Sequence, residues 1–347
     1  METFWFAALA LMLALYIVLD GFDLGAGICH LFVARTDAER RMVLRSIGPV
    51  WDGNEVWLVA GGATLLLAFP KAFSAAFSGF YLPLIMILWM LMLRALAIEL
   101  RNKFEGAIWR PTWDVVFAGS SLALVILFGA ALGNVVRGVP FQEDTGGFFT
   151  PLWTHFGVRG NVGILDGYTI LVAVTAVVAL LVHGAAWIAW KTEGDPASRS
   201  RTIVRRTLPG LAVLIAFLTV VTLYVQPHVR ERIFTNPAGW ALPVLAIAGL
   251  GLALRSARSA HDRATFLSSA ALLFGLFGSA AFGLYPYLLP SSTGPELALT
   301  AASSAAPAYG LRVALYWWIP GMLLASSYFV IVYRSFAGRV SLDDAQG

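Results

Sequence analysis

Apolar residues fill most of this chain in stretches of about twenty, parted by short polar segments, and that pattern predicts membrane-crossing helices. The stretches lie near 4–32, 50–69, 74–100, 113–134, 163–190, 207–226, 238–255, 264–288 and 309–334: about nine helices in one integral-membrane domain, 1–347. Segments of roughly ten alternating residues, the mark of a membrane barrel, are missing. Because backbone in lipid must be satisfied within a helix or around a closed sheet, the fold class expected is all-α, a polytopic helical bundle. The opening stretch METFWFAALALMLALYIVL has no basic leader region, so it reads as a retained first helix and not as a cleaved signal.

Composition sharpens this picture. Of 347 residues, 59% are hydrophobic and only 13% charged, against about a quarter charged in a soluble domain. Seventeen of the 24 Lys and Arg fall in alternate connecting segments, among them Arg35, Arg40, Arg41, Arg45, Arg101, Lys103 and Arg110. The other segments hold five: Lys71, Arg137, Arg159, Arg230 and Arg232. Basic residues in short loops stay cytoplasmic, so the N-terminus is expected outside and the C-terminus inside. The net charge of +4 then calls for no nucleic acid. A single cysteine, Cys29, excludes an internal disulfide. The longest outer segment, about 135–162, reads either as a plain connector or as a compact loop over the outer surface.

Against so apolar a background, the acids stand out. Asp20 and Asp23 are three residues apart in the first helix, as are Asp52 and Glu55 in WDGNE of the second, and this spacing puts each pair on one helix face. Counting along the helices brings these residues, Arg94 and Glu99 of the third and Asp114 of the fourth, to one layer at the inner membrane edge. A charge facing lipid costs a few kcal/mol, so they are expected to face the bundle, a water-filled cavity or another subunit. Two readings remain open. Arg94 with Asp23 and Asp114 reads as a clamp between helices; Asp52, beside Gly53, Asn54 and Glu55, reads as a proton or cation site.

Chemistry elsewhere is sparse. His30, His155, His183, His228 and His261 form no ligand pairs, and no cysteine cluster or nucleotide-binding glycine motif occurs. The five histidines read as packing or interfacial residues, and the chain by itself is expected to hold no metal and no redox cofactor.

DGFDLGAG at 20–27, ERRMVLRSIGPVWDGNEVWLVAGGA at 39–63, AFSGFY at 76–81, FGAALGNVVRGVPF at 128–141 and YPYLLPSST at 285–293 run in order along the chain. Together they resemble subunit II of the cytochrome bd-type quinol oxidases. The resemblance implies a membrane heterodimer in which subunit I carries the b and d haems, oxidises quinol and reduces O₂ to water. Subunit II would bind no haem, support subunit I and contribute to cytoplasmic proton uptake, with room for a structural quinone or lipid and for small single-helix partners. The family's polar positions fall here on Asp20, Asp23, Asp52, Arg94 and Asp114. Val50 stands where some members have His, and Glu55 where some have Gln. The expected proton pathway is Asp52 assisted by Glu55 and Asn54, with Asp20 and Asp23 shaping its port and a charge cluster of Arg94, Asp114 and Glu99 holding the geometry. The alternatives are a purely structural scaffold and a proton-coupled secondary transporter.

Overall fold

The computed structural model describes residues 1–142, 147–158, 160 and 162–341. Arg159, counted above as an outer charge, and the 143–146 part of the outer segment lie outside them. Thirteen helices follow in order: α1 (Glu2–Val33), α2 (Asp37–Ile47), α3 (Trp51–Ala68), α4 (Pro70–Gly79), α5 (Tyr81–Leu100), α6 (Trp109–Arg137), α7 (Gly167–Lys191), α8 (Gly194–Val225), α9 (Pro227–Thr235), α10 (Ala241–Arg258), α11 (Asp262–Leu284), α12 (Ala301–Ser304) and α13 (Ala308–Ser335). Two short strands, β1 (Tyr287–Leu289) and β2 (Leu299–Thr300), pair antiparallel between α11 and α12.

Eight of these helices are long and apolar enough to cross a membrane: α1, α5, α6, α7, α8, α10 with the turn before it, α11 and α13. The sequence suggested about nine. The difference is α3, 18 residues long, whose first turns carry Asp52, Asn54 and Glu55, so that only its second half is strongly apolar. The stretch 74–100 is also not one helix. It breaks at Phe80 between α4 and α5, just after Gly79, and Pro83 then lies in the first turn of α5, where its missing N–H costs nothing.

Helix α1 is central, packed against α3, α6, α7 and α11. Its closest neighbour is α7, because glycines face each other: a Cβ on Gly25 would fall on the Leu180 carbonyl, and one on Gly184 would fall on the backbone of Gly25 and Ala26. Small residues allow this approach in a setting where lipid offers no hydrophobic push between helices. Beside it Phe22 stacks on Trp187 at 4.0 Å, and Phe266 meets both. His183 is wholly buried here, its Nε2 2.9 Å from the Val18 carbonyl and its Nδ1 2.7 Å from Ser269 Oγ, which ties α7 to α1 and α11.

The ends of the bundle are closed by side chains chosen for helix termini. At the start of α7, Asp166 accepts from the N–H groups of Tyr168 (2.6 Å) and Thr169 (3.2 Å), while Thr169 Oγ1 accepts from Asp166 N–H. Arg137, from the end of α6, pairs with the same Asp166 and donates to the Gly163 carbonyl and Asn134 Oδ1. Nearby, Val139 bridges Ser291, Phe141 bridges Phe148, and Gly79 lies so close to the Phe148 ring that a side chain there would overlap it. The quoted segments AFSGFY, GNVVRGVPF and YPYLLPSST thus converge in one seam at the end of the bundle where α1 begins. The first turn of α1 joins it: Trp5 Nε1 donates to the Leu311 carbonyl at the start of α13, and the Thr3 hydroxyl lies 2.7 Å from Tyr285 Oη.

At the opposite end, Thr36 and Glu39 form a capping box that starts α2, and Arg199 of α8 donates to both Glu39 (2.9 Å) and the Val33 carbonyl (2.8 Å). Burial opposes ionisation of Glu39, but the Arg199 guanidinium and the N–H groups of Arg35 and Thr36 outweigh it and hold the carboxyl below its ordinary value. A depressed carboxylate stabilises the fold above its unfolded pKa and loses that contribution as pH falls through its folded one. Amide exchange of the 36–47 peptide, corrected for intrinsic rate, is therefore expected to quicken below about pH 4, and Glu39→Gln to remove that pH dependence.

Candidate functional site

Helices α1, α3, α5 and α13 enclose a group of wholly buried polar side chains. Arg94 reaches from α5 to Asp20 of α1 at 2.7 Å and also pairs with Glu55 of α3. One helical turn along α1, Asp23 accepts from Asn54 Nδ2 at 2.7 Å, and the same amide lies 3.2 Å from the Leu19 carbonyl. Tyr333 of α13 donates its hydroxyl to Asn54 Oδ1 at 2.9 Å. Asp20, Asn54 and Arg94 have no exposed surface and Asp23 has 1%. Several atoms of this cluster have no protein partner: the second oxygens of Asp20 and Asp23, Nε and Nη1 of Arg94, and the hydroxyl of Tyr16, one turn from Asp20. Buried polar groups rarely stay unpaired, so these atoms are candidate positions for hydrogen-bonded water.

A second layer lies two turns further along. Seven residues separate Asp23 from His30 on α1 and Arg94 from Arg101 on α5, a spacing that returns to nearly the same face about 10 Å away. Here Asp114 of α6 is the hub. Arg101 donates to it through Nε (2.6 Å) and Nη2 (3.1 Å), Arg40 of α2 through Nη1 (2.8 Å), and His30 Nε2 lies 2.6 Å from Oδ1. Arg101 also holds Asp37 (2.8 Å), which pairs with Arg41 and Arg110 towards solvent.

The single inner layer expected from counting is therefore two. Arg94 does not clamp Asp23 and Asp114: it holds Asp20 and Glu55, and Arg101 takes the place at Asp114 that was assigned to it. The reason is helix length. Helix α1 continues ten residues beyond Asp23, so Asp20 and Asp23 sit deeper than its inner end, while Asp114 lies near the start of α6. Glu99 is exposed and makes no ion pair among the described residues, so it does not join the charge cluster. Asp52 is exposed as well, on the face of α3 shared with Val56 and Val59, which are 53% and 70% exposed. Of its polar neighbours, Asn54 and Glu55 turn inward.

Three contributors escaped sequence reading. His30 looked like a packing histidine, and Tyr333 and Arg101 drew no notice. The seven-residue interval from Tyr16 through Asp23 to His30 was the available signal for the first. Tyr333 lies 279 residues from Asn54, and nothing local announces that contact. Among the described residues, no group of three or more His, Cys, Asp or Glu side chains is arranged to hold a metal ion.

Comparison with known proteins agrees along the whole chain. Residues 1–336 match the family described as cytochrome bd terminal oxidase subunit II. The chain is 30% identical to the cytochrome bd-I ubiquinol oxidase subunit 2 of Escherichia coli, covering 99% of this chain and 96% of that one. It is 31% identical to the cytochrome bd ubiquinol oxidase subunit 2 of Bacillus subtilis, over 89% and 88%. Its fold matches a chain of the bd oxidase structure from Geobacillus thermodenitrificans with a TM-score of 0.73 at 19% identity, covering 96% and 98%. Both curated relatives are named as subunits of ubiquinol oxidases, and the eight long apolar helices found here suit a membrane protein. With a family match from the first residue to the end of the last long helix, the chain belongs to subunit II of the cytochrome bd terminal oxidases, a multi-pass protein of the inner membrane.

Proposed function

We propose that this chain is the non-haem subunit of a bd-type quinol oxidase: one integral-membrane unit that supports a haem-bearing subunit I and conducts protons to it from the cytoplasm. The observation that carries the reading is the cluster in which Arg94 pairs with two carboxyl groups, Asp20 and Glu55, while a third, Asp23, lies one turn along α1 with the Asn54 amide as its partner. Such a group balances its charge by exchanging protons, and its unpaired oxygens give water a path through it. Reducing O₂ to water consumes protons and electrons in equal number, and drawing the protons from the inner side separates charge without a pump.

Orientation follows the basic residues, with the N-terminus outside and the Asp114 layer at the cytoplasmic face. Asp52 then stands where protons leave for the partner. An exposed carboxylate in line with two exposed valines is poorly placed for lipid and well placed against the partner protein. In the complete oxidase, Asp52→Asn is expected to keep the haem spectrum and lower quinol-driven O₂ consumption about tenfold. Unchanged turnover would sink this role. Asp114, held by two arginines, favours a structural reading for its own layer, in which the ion pairs bind α1, α2, α5 and α6 together. A quinone or lipid on this subunit and small single-helix partners belong to the same proposal, and native mass spectrometry of the purified complex tests for them.

A further inference from the structure

One buried stripe of α1 carries a row of polar atoms that no protein group pairs with. Tyr16, Asp23 and His30 are spaced by seven residues, with Asp20 one turn from Tyr16. The Tyr16 hydroxyl, Asp20 Oδ2, Asp23 Oδ1 and His30 Nδ1 are all enclosed and all without a partner. Between Asp23 and His30 the stripe continues at Gly27, and there α6 contributes the missing polar group. The Ser121 hydroxyl presses so closely on Gly27 that a Cβ would fall on it, and this hydroxyl too is wholly buried and unpaired. Ser121 is itself two turns along α6 from Asp114. The gap of about 10 Å between the two ionic layers thus has a hydroxyl inside it.

His30 has a fixed chemistry at one end of this row. Asp114 receives three guanidinium hydrogen bonds, from Arg101 and Arg40, and so stands as a carboxylate acceptor. Nε2 of His30, 2.6 Å away, is therefore the nitrogen that donates, which leaves Nδ1 as a lone pair held inside the bundle. The charged groups facing the ring are Asp114 from α6, Arg101 from α5 and Arg40 from α2; its remaining ring neighbour is the edge-on Phe117 at 5.3 Å. Arg40 is 25% exposed, which brings water to this layer.

We infer that His30 and Ser121 form the inner half of a proton line joining the Asp114 layer to Asp23; the inference rests on the proton-uptake reading above. Nδ1 takes a proton from water reaching the Asp114 layer, the imidazolium keeps its Nε2–H on Asp114, and Nδ1 then gives the proton up towards the Ser121 hydroxyl and Asp23. No heavy-atom bond is made or broken, and water in contact with the bundle completes the chain. Gly27 is the residue that lets Ser121 into the row.

The test uses the complete oxidase purified from its native membrane, with quinol-driven O₂ consumption followed between about pH 5.5 and 8.5 in H₂O and D₂O. His30→Gln keeps an N–H but has no basic nitrogen. It is expected to retain its haems, to lose about tenfold in turnover, to lose more as pH rises, and to show an enlarged D₂O effect. Ser121→Ala, which removes one oxygen, is expected to give a smaller loss with the same enlarged D₂O effect. Asp23→Asn serves as the reference. If it is slow while both other variants turn over as the parent does, the line runs elsewhere, His30 only braces Asp114, and the inference is overturned. If Asp23→Asn is also normal, proton uptake through this chain fails with it. Should His30→Gln not assemble, Ser121→Ala decides alone, and parent-like kinetics in both solvents overturn the inference.

Discussion

Arg94→Met is expected to lower the yield of assembled oxidase several-fold. Without the guanidinium, wholly buried Asp20 and partly exposed Glu55 lose the one counter-charge they have among the described residues, and breaking a buried pair by removing one partner costs about 3–5 kcal/mol. For a bundle whose total stability is of order 10 kcal/mol, that removes about a third to a half of the folding margin and leaves assembly exposed to competing degradation. The measurement is the yield of haem-containing two-subunit complex after mild detergent extraction and size exclusion. The triple variant Arg94→Met, Asp20→Asn, Glu55→Gln separates charge from packing. It removes both acids along with the arginine and is expected to restore assembly without restoring turnover. Recovery of neither would mean that the shape of Arg94, and not its charge, holds α1, α3 and α5 in place.

The other large effect is steric. Gly184→Val is expected to prevent close packing of α1 on α7, because its Cβ would occupy the backbone of Gly25 and Ala26, which cannot turn aside as a side chain can. Overpacking usually costs about 1–3 kcal/mol, and a collision with backbone at the centre of the bundle belongs at or above the top of that range. Thermal unfolding of the purified complex reads it directly, with Gly62→Ala and Gly251→Ala as controls where a methyl meets nothing within 4 Å. Those two should unfold no earlier than the parent, since Ala favours a helix over Gly, and equal losses at all three glycines would mean that the collision with α1 is not the cause.

Fold class was legible in the sequence because twenty-residue apolar runs have few structural solutions in lipid. The expected span at 50–69 differs from the other eight for a local reason: Asp52, Asn54 and Glu55 take up the first turns of α3 and dilute its apolar run. Within the site, the i, i+3 pairs part company: Asp20 and Asp23 are both buried in the cluster, whereas of Asp52 and Glu55 it is Glu55 that reaches Arg94. Their partners were misassigned because depth was counted in residues while α1 overran the assumed membrane edge, and because an arginine side chain spans more than a turn of helix. Asp52 and Glu99 turned outward, a choice of helix face that an isolated sequence leaves to tertiary packing. Tyr333 was invisible for a different reason, as its meeting with Asn54 exists only once α13 has returned to α3.

The seam at the start of α1 has a bearing on how the chain is made. Trp5 waits for a carbonyl 306 residues further on, Val139 for Ser291, and the carbonyl of Ala68 for the N–H of Ala306. Contacts so distant in sequence form late, after their loops have been closed by everything between. During synthesis the first helices must therefore lie in the bilayer with their seam ends unlatched until α13 is released. A chain stopped anywhere before Leu311 would leave the indole of Trp5 without its acceptor, giving quality-control proteases the same open end whichever helix the interruption struck.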